Sequence, residues 1–233
     1  MGYLVLIRHG QSQWNLENRF TGWADVPLTG EGRQEAERAG DLLHDIALDR
    51  AFTSALARAQ ETLMIVLRAV QREEIPMVRD AALNERDYGD LTGMNKDEAA
   101  ARFGTEQVHA WRRSWGVRPP GGESLADTAA RAWPYCRAQI LPHVTAGEQV
   151  IVAAHGNSLR AIVKEIEGLT PAQIIDLEIP TATPYVYLLD AAGGIIHKEI
   201  RRPVVPPHPV PQPDEPHEPH EPGTHRGLHI ERA

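Results

Sequence analysis

Two short apolar runs stand out along the chain. Residues 3–7 and 150–154 are nearly continuous in hydrophobic character, without the alternation of a half-exposed strand. Such runs predict strands buried on both faces, as in a parallel sheet. Both end abruptly in chemistry: the first in Arg8-His9-Gly10, the second in His155-Gly156-Asn157. Residues 50–53 and 76–79 read as further short strands. Between them, residues 55–71 carry Leu56, Ala59, Leu63, Val66, Leu67 and Val70 at helical spacing. An earlier helix follows the Thr29 cap, with Ala36, Ala39, Gly40, Leu43 and Ala47 on one face. Strand–helix–strand alternation of this type implies a parallel sheet with covering helices.

The middle of the chain reads differently. Residues 84–89 are polar and turn-like, and residues 96–103 and 106–115 are helical in pattern. Pro119-Pro120-Gly121-Gly122 interrupts the chain, and Ser124-Leu125-Ala126-Asp127 has the form of a capping box. It opens a long helix to about residue 140, in which Pro134 predicts a kink. Residues 159–166 form the helix after the fourth strand. Thr170-Pro171 opens another helix. Residues 185–189 and 195–200 flank a turn and predict a hairpin on the sheet edge. Residues 9–28 are left as a long loop, of a length that is often functional.

Composition narrows the class. The chain has 233 residues, 42% of them hydrophobic and 24% charged, which suits one globular domain of ordinary size. The net charge of −8 argues against nucleic acid or an anionic membrane as partner. One cysteine, Cys136, allows no internal disulfide and no CxxC metal site. No run approaches a membrane span and the start carries no signal-peptide pattern, so a cytoplasmic protein is expected. Residues 1–200 read as the catalytic domain. Residues 201–233 are rich in Pro, His and Glu, with too few apolar residues to offset ordering, and read as a disordered tail.

The chemistry follows from the strand ends. Ligands of open parallel sheets bind beyond the carboxyl ends of the strands, where both histidines fall. Gly10 and Gly156 leave room for a ligand to approach the backbone. Arg8, Arg58, Lys96, Arg112 and Arg113 can gather around an anion, and guanidinium groups grip phosphate or carboxylate bidentately. Cations beside His9 depress its pKa by like-charge repulsion and keep a ring nitrogen nucleophilic. A backbone carbonyl near Gly10 could hold the tautomer. This suits phosphoryl transfer through a phosphohistidine, with Glu85 as the proton carrier and a protonated His155 stabilising the transferred group. No metal is required: there is no acidic ligand cluster and no Walker-type loop.

Six stretches carry a resemblance: Leu6-Ile7-Arg8-His9-Gly10-Gln11-Ser12-Gln13-Trp14-Asn15, Arg19-Phe20-Thr21-Gly22-Trp23, Leu83-Asn84-Glu85-Arg86-Asp87-Tyr88-Gly89, Gly93-Met94-Asn95-Lys96, Trp111-Arg112-Arg113 and Ala153-Ala154-His155-Gly156-Asn157-Ser158-Leu159-Arg160. Together, and in this order, they resemble the cofactor-dependent phosphoglycerate mutases of the histidine phosphatase superfamily, from about residue 3 to residue 189. The resemblance implies a three-layer α/β/α fold whose mostly parallel sheet carries an antiparallel edge strand. It implies interconversion of 3-phosphoglycerate and 2-phosphoglycerate in glycolysis and gluconeogenesis, primed by 2,3-bisphosphoglycerate, without metal, in a homodimer or homotetramer. His9 matches the phosphorylated histidine, Glu85 the proton donor and acceptor, and His155 the stabiliser. Arg8, Asn15, Arg58, Gly156 and Asn157 match the pocket for the transferred group, with Gly10, Gln11 and Ser12 in the same phosphate loop. Thr21, Gly22, Tyr88, Lys96, Arg112 and Arg113 match groups holding the rest of the substrate. The alternative is a phosphatase on the same scaffold, acting on small phosphate esters.

Three departures from the family pattern matter. The segment between Arg113 and Glu123 is short, which bears on the balance between mutase and phosphatase. Thr181-Ala182-Thr183-Pro184 stands where a Thr-Gly-x-Pro turn is usual, and alanine resists positive φ, so an adjusted turn is expected. The Pro- and His-rich tail has no counterpart.

Overall fold

Alternate side chains of the first run, Leu4 and Leu6 on one side and Val5 and Ile7 on the other, are all fully buried. That double burial places the strand in the middle of a sheet covered on both faces. The computed structural model describes residues 1–203. Its elements in chain order are β1 (Gly2–Arg8), α1 (Gln13–Leu16), α2 (Gly30–Asp41), β2 (Arg50–Thr53), α3 (Ala57–Ala69), β3 (Met77–Arg79), α4 (Lys96–Phe103), α5 (Thr105–Arg113), α6 (Leu125–Tyr135), α7 (Leu141–Thr145), β4 (Val150–Ala154), α8 (Gly156–Ile166), α9 (Gln173–Asp176), β5 (Tyr185–Leu189) and β6 (Ile195–Ile200).

The six strands take the order β3-β2-β4-β1-β5-β6. The first four are mutually parallel, β5 runs antiparallel to β1, and β6 antiparallel to β5. The expected edge hairpin is thus present, and the sheet is mostly parallel. On one face Leu4, Leu6, Val150 and Val152 pack with Ala132 of α6, Val144 of α7, and Leu159, Ile162 and Val163 of α8. On the other, Val5, Ile7, Ile151 and Ala153 pack with Ala39 of α2 and Leu63, Val66 and Leu67 of α3. These are the three layers.

Local features depart from the sequence reading at five places. The loop after β1 contains one helical turn, α1, capped by Ser12 with a reciprocal Asn15 contact. Pro134 ends the regular hydrogen bonding of the long helix: a π-helical stretch, Cys136–Ile140, follows and carries the chain into α7. α5 stops at Arg113, short of Trp115, and α9 is a single turn. Ala182 adopts φ 44°, so the turn is not adjusted; the alanine accepts the left-handed conformation. Its amide donates to Arg8 O at 2.9 Å and its methyl packs in the α2/α3 core, and these contacts hold it there.

Arg201 continues the ordered edge. Its amide donates to Pro184 O at 2.9 Å, and its guanidinium reaches Asp45 and Leu42 O. The rest of the expected tail, residues 204–233, lies outside the described residues. No helix among the described residues is long and apolar enough to cross a membrane.

Candidate active site

Strand pairing brings the two histidines together. β1 and β4 are neighbours in parallel register, with Arg8 opposite Ala154. The next residue of each strand is then a histidine. The His9 amide donates to Ala154 O at 3.0 Å, and the two rings lie with centroids 5.0 Å apart. Both are buried.

His9 has a defined tautomer. Its Nδ1 lies 2.7 Å from Gly10 O. A carbonyl can only accept, so Nδ1 carries the proton and Nε2 keeps its lone pair. Arg58, in the first turn of α3, points its Nε at that Nε2 from 3.3 Å. Burial lowers the His9 pKa well below its ordinary value, with Arg58 and then Arg8 adding to the effect. Burial therefore comes before the like-charge repulsion that the sequence reading put first. His155 is held neutral for the same reasons, burial first and Arg58 next. The expected protonated His155 is thus not the state of the free site. Its Nε2 shares a 2.7 Å contact with Ser54 Oγ at the end of β2.

Glu85 sits 8% exposed on the loop before the Gly89 turn. Its Oε1 accepts from the Arg86 amide at 2.7 Å, the Asn157 amide at 3.2 Å and Asn157 Nδ2 at 2.9 Å. Oε2 faces Gly156, where a Cβ would lie 3.8 Å away. The Glu85 carbonyl is held by Trp23 Nε1 and Arg131 Nη2, so the main chain beneath the carboxylate is tied down. Asn157 Nδ2 also reaches the Tyr88 hydroxyl at 3.3 Å. Burial is the largest single influence on the Tyr88 phenol and raises it, but the Arg86 charge and the hydrogen bonds from Arg86 and Asn157 together outweigh it and the pKa falls. Lys96 is lowered by burial and by Arg112 beside it.

One cavity of about 190 Å³ collects most of the expected residues. It is lined by Arg8, His9, Asn15, Thr21, Gly22, Arg58, Glu85, Tyr88, Lys96, Arg112, Arg113, Gly156 and Asn157. Four candidates are not on its wall. His155 lies fully buried behind His9. Gly10, Gln11 and Ser12 turn away from it, because their polar groups build the loop instead. The Gly10 amide donates to Thr62 Oγ1, the Gln11 amide to Glu35, and Ser12 caps α1. Packing requires glycine at position 10: a Cβ there would meet the Gly32 carbonyl at 2.1 Å. At Gly156 a Cβ would stand in ordinary contact with Arg8 and Glu85, in the cleft itself.

The cavity also contains residues the sequence reading did not select: Arg19, Phe20, Arg160, Leu177, Glu178 and Ile179. Arg160 carried a usable signal, lying one helical turn after Asn157 and donating to its Oδ1 at 3.1 Å. Residues 177–179 carried none. Trp111 and Trp115, which flank the two arginines, belong to two different apolar clusters and anchor the end of α5 from both sides.

An anion fits this site. Arg8 Nε is buried without a hydrogen-bond partner among the described residues, and Arg58 stays cationic at neutral pH although burial lowers its pKa to about 10. The same cavity wall bears Lys96, Arg112 and Arg113, so a ligand with two anionic ends can be met at both. Among the described residues no cluster of three or more His, Cys, Asp or Glu is placed to hold a metal ion.

An open α/β sheet presenting a neutral, tautomer-locked histidine among arginines defines the class. A family model for the histidine phosphatase superfamily, branch 1, matches residues 4–199, and the chain belongs to that superfamily. A 2,3-bisphosphoglycerate-dependent phosphoglycerate mutase of Methylobacterium radiotolerans is 59% identical over 199 residues, 84% of this chain and 94% of the relative. One of Brucella anthropi is 56% identical over 199 residues, covering 84% and 97%. Among solved structures, a mycobacterial glucosyl-3-phosphoglycerate phosphatase is similar with TM-score 0.73 and 26% identity, over 85% of this chain and 96% of that one. Bacillus stearothermophilus YhfR gives TM-score 0.74 and 28% identity, over 86% and 96%.

Proposed function

We propose that this protein is a 2,3-bisphosphoglycerate-dependent phosphoglycerate mutase that interconverts 3-phosphoglycerate and 2-phosphoglycerate through a phosphohistidine on His9. The observation that carries the reading is the cavity itself. A histidine with an unprotonated Nε2, a carboxylate held by three donors, and the cations Lys96, Arg112 and Arg113 share one small space. A phosphoglycerate has two anionic ends, and a mutase must retain its bisphosphorylated intermediate while it reorients.

The residues then divide the work. His9 Nε2 attacks phosphorus, and Gly10 O steadies the imidazolium that forms. Arg8 and Arg58 meet the charge on the transferred group, aided by the Asn15 amide and the open backbone at Gly156. A phosphoryl dianion against His155 favours its protonated form, which burial opposes in the free site. Glu85 gives a proton to the departing oxygen and takes it from the attacking hydroxyl in the reverse direction. Lys96, Arg112, Arg113, Tyr88 and the Thr21-Gly22 turn grip the carboxylate end. Bound there, 2,3-bisphosphoglycerate supplies the phosphoryl group that primes His9. The reading carries with it a cytoplasmic, homo-oligomeric enzyme that needs no metal.

The phosphatase reading is favoured by the solved structures of similar fold, among them a mycobacterial glucosyl-3-phosphoglycerate phosphatase, and disfavoured by the added cations Lys96, Arg112 and Arg113 on the cavity wall. The test is conversion of 3-phosphoglycerate in the presence of a chelator, with and without 2,3-bisphosphoglycerate, for wild type and His9→Ala. Expected are 2-phosphoglycerate as product, stimulation by the primer, and loss of turnover in the variant. Glycerate and free phosphate as the main products would overturn the mutase reading, and an active His9→Ala would overturn the phosphohistidine.

A further inference from the structure

The segment after α9 brings a carboxylate into this cationic cavity, and the mutase reading leaves it without a part. Glu178 lines the cavity with its carboxylate paired to the Arg113 guanidinium. The position is set by main-chain bonds from two other cavity arginines. Arg8 Nη1 donates to Ile179 O at 2.9 Å, and Arg160 Nη2 donates to Ile174 O and Ile175 O. The Tyr185 hydroxyl holds Glu178 O at 3.1 Å. The backbone of Glu178 is thus fixed, and its side chain is open to solvent: it is 67% exposed against 27% for Arg113. The carboxylate faces Arg113 from α5, Arg8 from β1 and Arg160 from α8, and these keep it ionised. A carboxylate in this place makes with Arg113 the contact that the carboxylate of a phosphoglycerate would make.

We propose that Glu178 is an intramolecular stand-in for the substrate's far anion, occupying Arg113 in the free site and released from it when a two-anion ligand binds. Binding then exchanges one carboxylate for another on Arg113 instead of desolvating a bare guanidinium. The exchange weakens the affinity for ligands that reach Arg113 and bears less on those that fill only the His9 end. Glu178 acts through Arg113 and is a positioning residue. Its pair is partly exposed, so its effect is confined to about two- to fivefold in affinity. The inference rests on the mutase reading for the identity of the ligand's second anion.

A double-mutant cycle read by equilibrium titration tests it. 3-Phosphoglycerate and, separately, inorganic phosphate are titrated into wild type, Glu178→Gln, Arg113→Ala and the double variant, followed by calorimetry. Glu178→Asp serves as the charge-retaining control, and thermal melts check folding. The expected result is a Kd for 3-phosphoglycerate about two- to fivefold lower in Glu178→Gln, with Glu178→Asp near wild type. Phosphate should gain clearly less than 3-phosphoglycerate in Glu178→Gln, because Arg8 faces that carboxylate only at longer range than Arg113, and Glu178→Gln should bring 3-phosphoglycerate no such gain once Arg113 is alanine. An unchanged Kd in Glu178→Gln overturns the proposal, as does an equal gain for phosphate or a gain that persists in the Arg113→Ala background. Absence of 3-phosphoglycerate binding to every protein also overturns it. Because no turnover is required, a chain that binds 3-phosphoglycerate without converting it fails the mutase reading alone.

Discussion

Replacing Arg58 with methionine separates what this cation does for the fold from what it does for His9. The side chain is fully buried and each of its three nitrogens donates: Nε to His9 Nε2 at 3.3 Å, Nη1 to Ala24 O at 2.8 Å, and Nη2 to Gly22 O at 2.9 Å. Methionine fills a comparable volume, so the cavity left behind is small. The Gly22 carbonyl loses its charged donor and is left buried and unpaired, at about 1–3 kcal/mol, and Ala24 O, which keeps the Val26 amide at 3.2 Å, loses a charge-assisted hydrogen bond of about 1.5–3 kcal/mol. Removing a buried charge offsets part of that. The expected net loss is about 2–4 kcal/mol, or about 4–15 °C in melting temperature for a domain of this size. The chemistry should suffer more. A preorganised cation aimed at a transferred phosphoryl group in a water-poor site contributes about 10²–10³ in rate. The pH profile supplies a third readout. Burial is the larger cause of the low His9 pKa and remains in the variant, whereas the Arg58 contribution goes. The acid limb of kcat/KM should therefore move to higher pH without reaching that of a free imidazole. Thermal melts and kcat/KM between pH 5 and 8 measure all three, with Arg58→Lys as the charge-retaining control. Wild-type melting with a rate within threefold, or an acid limb that stays in place, would refute this account of Arg58.

Three other perturbations probe separate links. His9 and His155 both titrate below the ordinary histidine range when folded, so below about pH 6.5 the unfolded chain binds protons that the native state rejects. Stability should be full above that pH and decline as pH falls through 6 toward 5, with a limiting slope of about 1.4 kcal/mol per pH unit for each histidine. The urea midpoint follows it, and a His155→Gln variant with the wild-type slope would exclude that ring from the effect. Gly10→Ala should cost about 3 kcal/mol or more, since its Cβ must displace the Gly32 carbonyl and shift the oxygen that locks the His9 tautomer. A soluble variant with unaltered melting would show that the two segments separate easily. Arg113→Ala should reduce 3-phosphoglycerate turnover about tenfold more than hydrolysis of a small phosphate monoester, because only the first ligand reaches that arginine. Equal losses in the two assays would remove it from substrate recognition.

Local pattern determined a good deal of this molecule. The apolar runs at Leu4–Ile7 and Val150–Ala154 are buried on both faces because uninterrupted hydrophobicity has no solvent side to offer, and that alone implies a central parallel pair. The capping box at Ser124 and Asp127 forms as written, since its bonds span only three residues. The single turn α1 escaped because four residues without buried side chains show no period to read. For the site, the motifs located Arg8, His9, Arg58, Glu85 and Asn157, which reach the cavity from segments that follow strand ends or adjoin them. Tertiary structure decided the rest. Gly10, Gln11 and Ser12 lie within three residues of His9 yet spend their hydrogen bonds on α1, α2 and α3, whose positions no local pattern encodes. Glu178, distant in sequence from every other charge in the site, joins it because Arg8 and Arg160 bind the carbonyls of its segment. Periodicity reports which way a side chain faces relative to its own element. Which segments meet across the end of the sheet depends on the pairing order of the strands, and only the folded chain supplies that.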